Sequence, residues 1–404
     1  MKNTKRQTHK KWVRVRHKII VNIAKVVLKP YIKTKYNVKI EKFKEQGNRQ
    51  YLILFNHQTA FDQFLVALAI KGHAYFIASE DLFSNGLISK LLRFAVAPIP
   101  IKKQTSDTRA VMDCSRVARQ GGTIALAPEG NRTYSGKTEH VNPAISKMAK
   151  LIKLPIAFFK IEGGYGVHPR WSDCIRKGKM RAYVSKVVEP EEFLNMSDDE
   201  LYELIKNELY VNEACDSGQF YAKNSAEYLE RILYVCPTCG LSKFVSKGDT
   251  ITCCSCAKTA RYLPDKTFKG DFPFKYINDW YEYQENFINS LSLSDFSLTP
   301  AFTDKAQVSE VILYKHKRKL FENATIKLYG DKITLFTSKV CCSFSFDLIS
   351  GISVLGRNKL NVYVGDKVYQ FKGDKSFNAV KFVNFYHRYK NIQGGEPYGK
   401  FLGL

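Results

Sequence analysis

The chain has 404 residues, 45% of them apolar, with 63 Lys and Arg against 38 Asp and Glu and a formal net charge of +25. That length exceeds what one hydrophobic core usually serves, so two or three domains are expected of a chain whose composition is ordinary for globular material. The charge excludes a neutral surface and points to anionic partners, whether phospholipid headgroups, nucleic acid or an acidic carrier protein.

The first forty residues carry thirteen Lys or Arg, and no acid appears before Glu41. Within them Trp12, Val15, Ile19, Ile20, Ile23, Val27 and Tyr31 recur at spacings of three and four, which predicts a helix with an apolar stripe between basic side chains. Such a helix either lies along an anionic bilayer or packs on its own domain with a solvated basic face. The best apolar stretch, Ile19 to Leu28, is broken by Asn22 and Lys25, short of the roughly 20 apolar residues a spanning helix needs. No apolar core leads to a cleavage site, so a cytoplasmic, reducing setting is expected, with a peripheral or monotopic membrane association.

Residues 38 to 190 alternate short apolar runs with helical patterns. Strands are predicted at Tyr51 to Phe55, Tyr75 to Ala78, Thr123 to Ala127, Pro155 to Ile161 and Met180 to Val188, and helices around Phe61 to Leu68, Ala110 to Arg119 and Ala144 to Ile152. The layout is α/β. Residues 263 to 305 read as a connector, aromatic and acidic without a clear period from Phe268 to Leu298. From about Val311 the pattern becomes short alternating strands with Gly330-Asp331 and Gly365-Asp366 as hairpin turns, closed by a helix marked by Phe377, Val380, Val383 and Tyr386.

Asn56-His57-Gln58-Thr59-Ala60-Phe61-Asp62 follows the first core strand and precedes a helix, so His57 and Asp62 bracket a strand-to-helix turn. A neutral imidazole can accept a hydroxyl proton near pH 7, while a carboxylate on its other nitrogen fixes the tautomer and stabilises the imidazolium. On its own the pair is equally readable as a loop histidine hydrogen-bonded for structure. Ala127-Pro128-Glu129-Gly130-Asn131-Arg132 ends another strand: Pro128 stops it, Gly130 permits a tight backbone, and Arg132 offers a planar fork that matches a phosphate or forms a surface ion pair. His168 and Arg170, in a glycine-rich stretch from Glu162 to Trp171, either line a site or belong to a structural turn.

Together these elements resemble the 1-acylglycerol-3-phosphate (lysophosphatidic acid) acyltransferase family, whose first motif reads N-H-x4-D and whose third reads P-E-G-x-R. Ile99-Pro100-Ile101-Lys102-Lys103 is similar to the family's strand ending in a phosphate-binding arginine, and Leu154-Pro155-Ile156 to its late V-P-I strand. The resemblance covers roughly residues 30 to 190. It implies His57 as general base, Asp62 as its partner, and Glu129, Gly130, Arg132, Lys103 and Lys102 as acceptor-binding residues. Thr59 stands where serine is usual, Asn131 where threonine is usual and Lys103 where arginine is usual; lysine binds phosphate as a point charge without the bidentate fork. The implied reaction moves a fatty acyl group from acyl-CoA or acyl-carrier protein to the hydroxyl of a lysophospholipid, with lysophosphatidic acid, another lysolipid or glycerol 3-phosphate as acceptor. A non-catalytic membrane or nucleic-acid binding scaffold is the rival from a different class.

Cys236-Pro-Thr-Cys239 and Cys253-Cys-Ser-Cys256 form two C-x2-C knuckles thirteen residues apart. Four thiolates so spaced can close a tetrahedral structural zinc site, with Cys236, Cys239, Cys253 and Cys256 as ligands and Cys254 as the alternative to Cys253. The ribbon holds few lysines and no aromatic stacking stripe, so no nucleic acid is expected as a partner. Cys341 and Cys342 are assigned to packing. The last eighty residues resemble a pleckstrin-homology-like or GRAM-like domain by topology, or are a plain β-rich packing domain. The expected architecture is therefore an α/β glycerolipid acyltransferase domain with an N-terminal amphipathic helix, then a small four-cysteine zinc ribbon and a β-rich domain. The expected boundaries are 1–37, 38–230, 231–262, 263–305, 306–392 and a tail at 393–404.

Overall fold

The computed structural model describes residues 11–101, 108–312, 315–396, 398–399 and 401. Its first part runs α1 (Val15–Tyr36), β1 (Val38–Ile40), β2 (Leu52–Phe55), α2 (Asp62–Ala69), β3 (Ala74–Ser79), α3 (Leu87–Ala95), β4 (Ile99–Ile101), α4 (Thr108–Arg119), β5 (Thr123–Leu126), α5 (Ala144–Ile152), β6 (Ile156–Glu162), α6 (Gly164–Val167), β7 (Met180–Val188), α7 (Pro190–Phe193) and α8 (Asp198–Leu209). The strands form one sheet in the order β1-β7-β6-β2-β5-β3-β4. Pairing is parallel from β6 through β4, whereas β7 runs antiparallel to β6.

Alternation along β2 explains the two layers. Leu52 and Leu54 pack with Cys114 and Val117 of α4, Ile145 of α5 and Leu201 of α8. Ile53 and Phe55 face the other side, with Leu65 and Leu68 of α2 and Ile32 and Tyr36 of α1. A strand buried on both faces reads as a continuous apolar run, as Leu52 to Phe55 does. Helix starts are local too: the hydroxyl of Ser197 accepts from the backbone of Glu200 (3.1 Å) and the Glu200 carboxylate accepts from Ser197 N–H (2.7 Å), a capping box that begins α8.

The N-terminal stripe divides differently from its periodicity. Trp12 precedes the helix and is 2% exposed, while Val15, Ile19, Ile23, Val27 and Tyr31 of α1 face outward; its inward face is His17, Val21, Ile32 and Tyr36. Beside it, α3 also exposes Leu87, Ile88, Leu91 and Phe94, and the Arg16 guanidinium lies 4.1 Å from the centre of the Phe94 ring. No described helix is long and apolar enough to cross a membrane.

The second part holds the cysteine knuckles on β8 (Val235–Cys236), β9 (Gly240–Leu241), β10 (Phe244–Lys247), β11 (Thr250–Cys253), β12 (Thr259–Tyr262) and β13 (Phe268–Gly270), followed by α9 (Ile277–Ser290). The stretch expected to be an aperiodic connector thus contains a 14-residue helix. Its buried face, Ile277, Trp280, Tyr281, Gln284 and Ile288, includes a polar residue. The Gln284 amide accepts from Tyr234 N–H (2.8 Å) and donates to Ile232 C=O (2.9 Å), which hid the helical period from a hydrophobicity count.

A second sheet comprises β14 (Phe302–Ile312), β15 (His316–Leu328), β16 (Lys332–Phe336), β17 (Cys341–Ser345), β18 (Ile349–Leu355), β19 (Lys359–Val364) and β20 (Lys367–Lys372), closed by α10 (Val380–Gln393). The order is β17-β16-β15-β14-β20-β19-β18 and the pairs are antiparallel. Cys342 packs against this core, but Cys341 is exposed, so the packing role expected for both holds only for the second. One hydrophobic cluster joins Tyr134, Tyr165 and Trp171 of the α/β unit to Trp280 of α9 and Phe385 of α10, so the modules share a core.

Candidate functional site

The loops after β2, β5 and β6 meet, because β2 lies between β5 and β6 and all three run in the same direction. Open parallel sheets bind ligands outside the carboxyl ends of their strands. At the end of β2, the Asn56 amide, 0% exposed, donates to Ile161 C=O and accepts from Ile161 N–H, each at 2.8 Å. This side-chain pairing fixes the exit of β2 against β6, so Asn56 positions the turn.

The turn then closes on Asp62, which is fully buried at the start of α2. Its carboxylate accepts from His57 Nδ1–H (2.8 Å), Gln58 N–H (2.7 Å), Thr59 N–H (3.0 Å) and the Thr59 hydroxyl (2.6 Å). Thr59 therefore supplies the hydroxyl that serine would supply at this position. With Nδ1–H committed to a carboxylate, Nε2 is the proton-accepting nitrogen of the His57 ring. That ring is about a quarter exposed, with the side chain at 24%.

Glu129 and Thr133 hold the His57 backbone from both sides. His57 N–H donates to Glu129 Oε1 (2.8 Å), and Thr133 N–H donates to His57 C=O (3.2 Å). The Gly130 backbone, at φ +69°, makes this turn in a conformation that favours glycine. Burial raises the Glu129 carboxyl to about 8. Burial, with neighbouring Arg170 next, lowers the Arg132 guanidinium to about 10, and its Nη1 is buried without a hydrogen-bond partner among the described residues. The structure thus brings His57, Asp62, Glu129, Gly130 and Arg132 into one locality. Lys102 and Lys103 lie outside the described residues.

His168 and Arg170 stand beside this cluster. Arg170, 2% exposed, donates Nη1–H to Arg132 C=O (2.9 Å). His168 is held down to about 3, chiefly by burial and then by Arg357 and Arg132, so it stays neutral. Tyr36, Tyr134 and Arg357 also reach the locality: the Tyr36 ring centre lies 6.0 Å from that of His168, the Arg170 guanidinium lies 4.1 Å from the centre of the Tyr134 ring, and Arg357 Nη2–H donates to His168 Nε2 (2.7 Å). None carried a sequence signal; Arg357 is more than 180 residues from His168 and meets it only because the second sheet docks there.

The Sγ atoms of Cys236, Cys239, Cys253 and Cys256 all lie within 4.8 Å of one another. Cys236 and Cys256 are 3.8 Å apart, close to the edge of a tetrahedron built on a Zn–S bond of about 2.3 Å. Thr238 N–H donates to Cys236 Sγ (3.4 Å), as a knuckle turn does for a thiolate. These four cysteines could therefore hold a metal. Cys253 is buried and belongs to the set, whereas Cys254 is exposed and outside it.

Residues 35–159, which contain the His57, Asp62 and Arg132 motifs, match the model of the Acyltransferase family. The α/β unit in the first half of the chain thus contains a segment similar to that family. Among solved structures, similar chains include the 1-acyl-sn-glycerophosphate (LPA) acyltransferase PlsC from Thermotoga maritima, at 20% identity and TM-score 0.37, with 46% of this chain and 79% of that one covered. Another is the N-terminal PH domain of human ARAP2, at 16% identity and TM-score 0.19, covering 22% of this chain and 81% of that one. No curated protein matches.

Proposed function

We propose that the protein transfers a fatty acyl group from an acyl thioester, acyl-CoA or acyl-carrier protein, to the free hydroxyl of lysophosphatidic acid. The observation that carries this reading is the fixed juxtaposition at His57: its ring is oriented by the buried Asp62, and its backbone is tied to the loop whose Arg132 keeps a buried N–H without a partner among the described residues.

His57 Nε2 accepts the proton as the acceptor oxygen attacks the thioester carbonyl, and Asp62 stabilises the imidazolium. The tetrahedral adduct then collapses, the C–S bond breaks, and the thiolate takes the proton back from His57. No acyl-enzyme is required, because the thioester is already activated. Arg132 binds the acceptor's phosphate, and Glu129 holds the His57 backbone in place. Lys102 and Lys103 are carried as further phosphate contacts on the motif resemblance alone. Fixing hydroxyl, base and phosphate in one frame supplies much of the rate.

The exposed apolar faces of α1 and α3 support work at the cytoplasmic surface of an anionic membrane. Val26, Val27, Leu87 and Leu91 are each at least 65% exposed, and exposed Lys18, Lys29, Lys90 and Arg93 flank them. Apolar side chains rimmed by cations match a bilayer interface with acidic headgroups. The four-cysteine module acts as a structural zinc site with no open coordination position, and so takes no part in the reaction.

The test is product analysis by mass spectrometry on detergent-solubilised protein given acyl-CoA or acyl-carrier protein with a panel of acceptors. Phosphatidic acid formed from lysophosphatidate supports the reading. Products formed only from other lysolipids or from glycerol 3-phosphate would replace the acceptor, and no product with any acceptor would remove the enzyme reading.

A further inference from the structure

The turn between β18 and β19 carries Gly356, Arg357 and Asn358 and sits against the acyltransferase-type unit. Arg170 bridges the two. Its Nε–H donates to Gly356 C=O (3.1 Å), its Nη2–H to Val354 C=O (2.8 Å) and its Nη1–H to Arg132 C=O (2.9 Å), while the guanidinium lies 4.1 Å from the centre of the Tyr134 ring. One buried side chain therefore sets the hairpin tip and the Arg132 backbone in a single frame.

Arg357 is aimed from that tip. Its Nη1 pairs with Asp173 Oδ1 (3.1 Å), and its Nη2–H donates to His168 Nε2 (2.7 Å). His168, accepting at Nε2, carries its proton on Nδ1, and that nitrogen is buried without a partner among the described residues. So are Arg357 Nε, Arg132 Nη1 and the hydroxyls of Tyr36 and Tyr134. Arg170 joins the carbonyls of Arg132 and Gly356 and lies over the Tyr134 ring, and the ring centres of Tyr36 and His168 are 6.0 Å apart, which gathers these groups around one spot.

Buried donors left unpaired are costly, and most native buried polar groups are satisfied. Here the unpaired atoms are N–H and O–H groups on side chains from two structural units, two of them guanidinium nitrogens. An oxyanion with several acceptor atoms, such as a phosphate monoester, complements that set.

We infer that Arg357 is a specificity-determining residue of the acceptor site, its guanidinium sharing the acceptor's phosphate with Arg132 across the boundary between the two sheets. The inference rests on the acyltransferase reading for the identity of the lipid. It also gives the second sheet a direct part in acceptor choice, since the α/β unit alone lacks half of the phosphate clamp.

The test uses full-length protein in neutral detergent micelles. In a His57→Ala background, which removes turnover, binding of lysophosphatidate is compared with binding of a monoacylglycerol bearing the same chain. Arg357→Met should weaken lysophosphatidate by about tenfold or more and leave monoacylglycerol within about twofold. Arg357→Lys, which keeps the charge and loses the fork, should fall between. With His57 intact, Arg357→Met should raise KM for lysophosphatidate more than it lowers kcat. A purely structural tie to Asp173 predicts equal losses for both lipids; that result, or no loss, overturns the inference. Should Arg357→Met not fold, Arg357→Lys decides, and unchanged lysophosphatidate affinity in it is the refuting result. Selective loss of binding in a protein that transfers no acyl group would sink the proposed reaction and leave the anion site standing. Transfer with an unchanged KM would do the reverse.

Discussion

Replacing Asp62 by Asn separates the orientation of His57 from the fold that surrounds it. The carboxylate accepts from His57 Nδ1–H, Gln58 N–H, Thr59 N–H and the Thr59 hydroxyl, and all of these are donors. A carboxamide has one acceptor oxygen, so its NH2 must face donors on one side. If the oxygen keeps His57 and Gln58, the Thr59 hydroxyl can rotate and accept, but the retained bonds become neutral. Going from charge-assisted to neutral acceptance costs about 1 kcal/mol per bond, so the variant should lose about 2–3 kcal/mol of stability and remain folded. Loss of the charge that steadies the imidazolium should lower kcat by about 10²–10⁴, with KM for the acyl thioester little changed. Circular dichroism melting and initial rates of thiol release measure the two effects. A folded Asp62→Asn protein within about threefold of wild-type kcat would show that the carboxylate has no part in proton transfer.

Metal analysis should return about one zinc per chain, with Cys253→Ser losing the metal and Cys254→Ser keeping it, because only Cys253 lies in the sulfur cluster. Chelation should lower the melting temperature of the whole second half, since the ribbon shares its core with α9 and the second sheet; a metal-free protein with an unaltered melt contradicts the site. Vesicles rich in anionic lipid should bind the protein, and Leu91→Glu, at a position 65% exposed, should weaken binding about tenfold through loss of a Leu-sized apolar contact; equal binding would remove α3 from the membrane contact. Burial holds His73 down to about 4. Between pH 4 and 6.5 the unfolded chain therefore binds a proton there that the folded chain does not, so stability rises with pH across that window by about 1.4 kcal/mol per pH unit for this group. His73→Gln should flatten the slope by that amount in denaturant titrations, and an unchanged slope would show that His73 titrates normally.

The α/β part was legible because its signals are local. Leu52 to Phe55, Thr123 to Leu126 and Ile156 to Phe159 are apolar runs bounded by turn residues, and the N-H-x4-D spacing puts His57 and Asp62 on either side of a single turn. Other features depended on distant partners. Helix α9 spends one position of its inner face on Gln284, whose use is visible only once Tyr234 and Ile232 are beside it. Strand β14 and the first half of β15 carry Asp304, Lys305, Glu310, Arg318 and Lys319, so their alternation is masked by charge. The stripe on α1 was legible as a pattern, but which side it faced was not: periodicity marks an apolar face without saying whether protein or another phase covers it. Arg357 could not be found at all, since a single arginine in a hairpin turn gains meaning only from docking against Arg170, His168 and Asp173.

Thiol release from acyl-CoA in the presence of lysophosphatidate, compared between wild-type protein and His57→Ala under the same micellar conditions, bears most directly on the role assigned to His57. A fall of about 10²–10⁴ in kcat, in a variant that still folds and still binds the acceptor, is the predicted outcome. Thiol release at the wild-type rate from His57→Ala would contradict it.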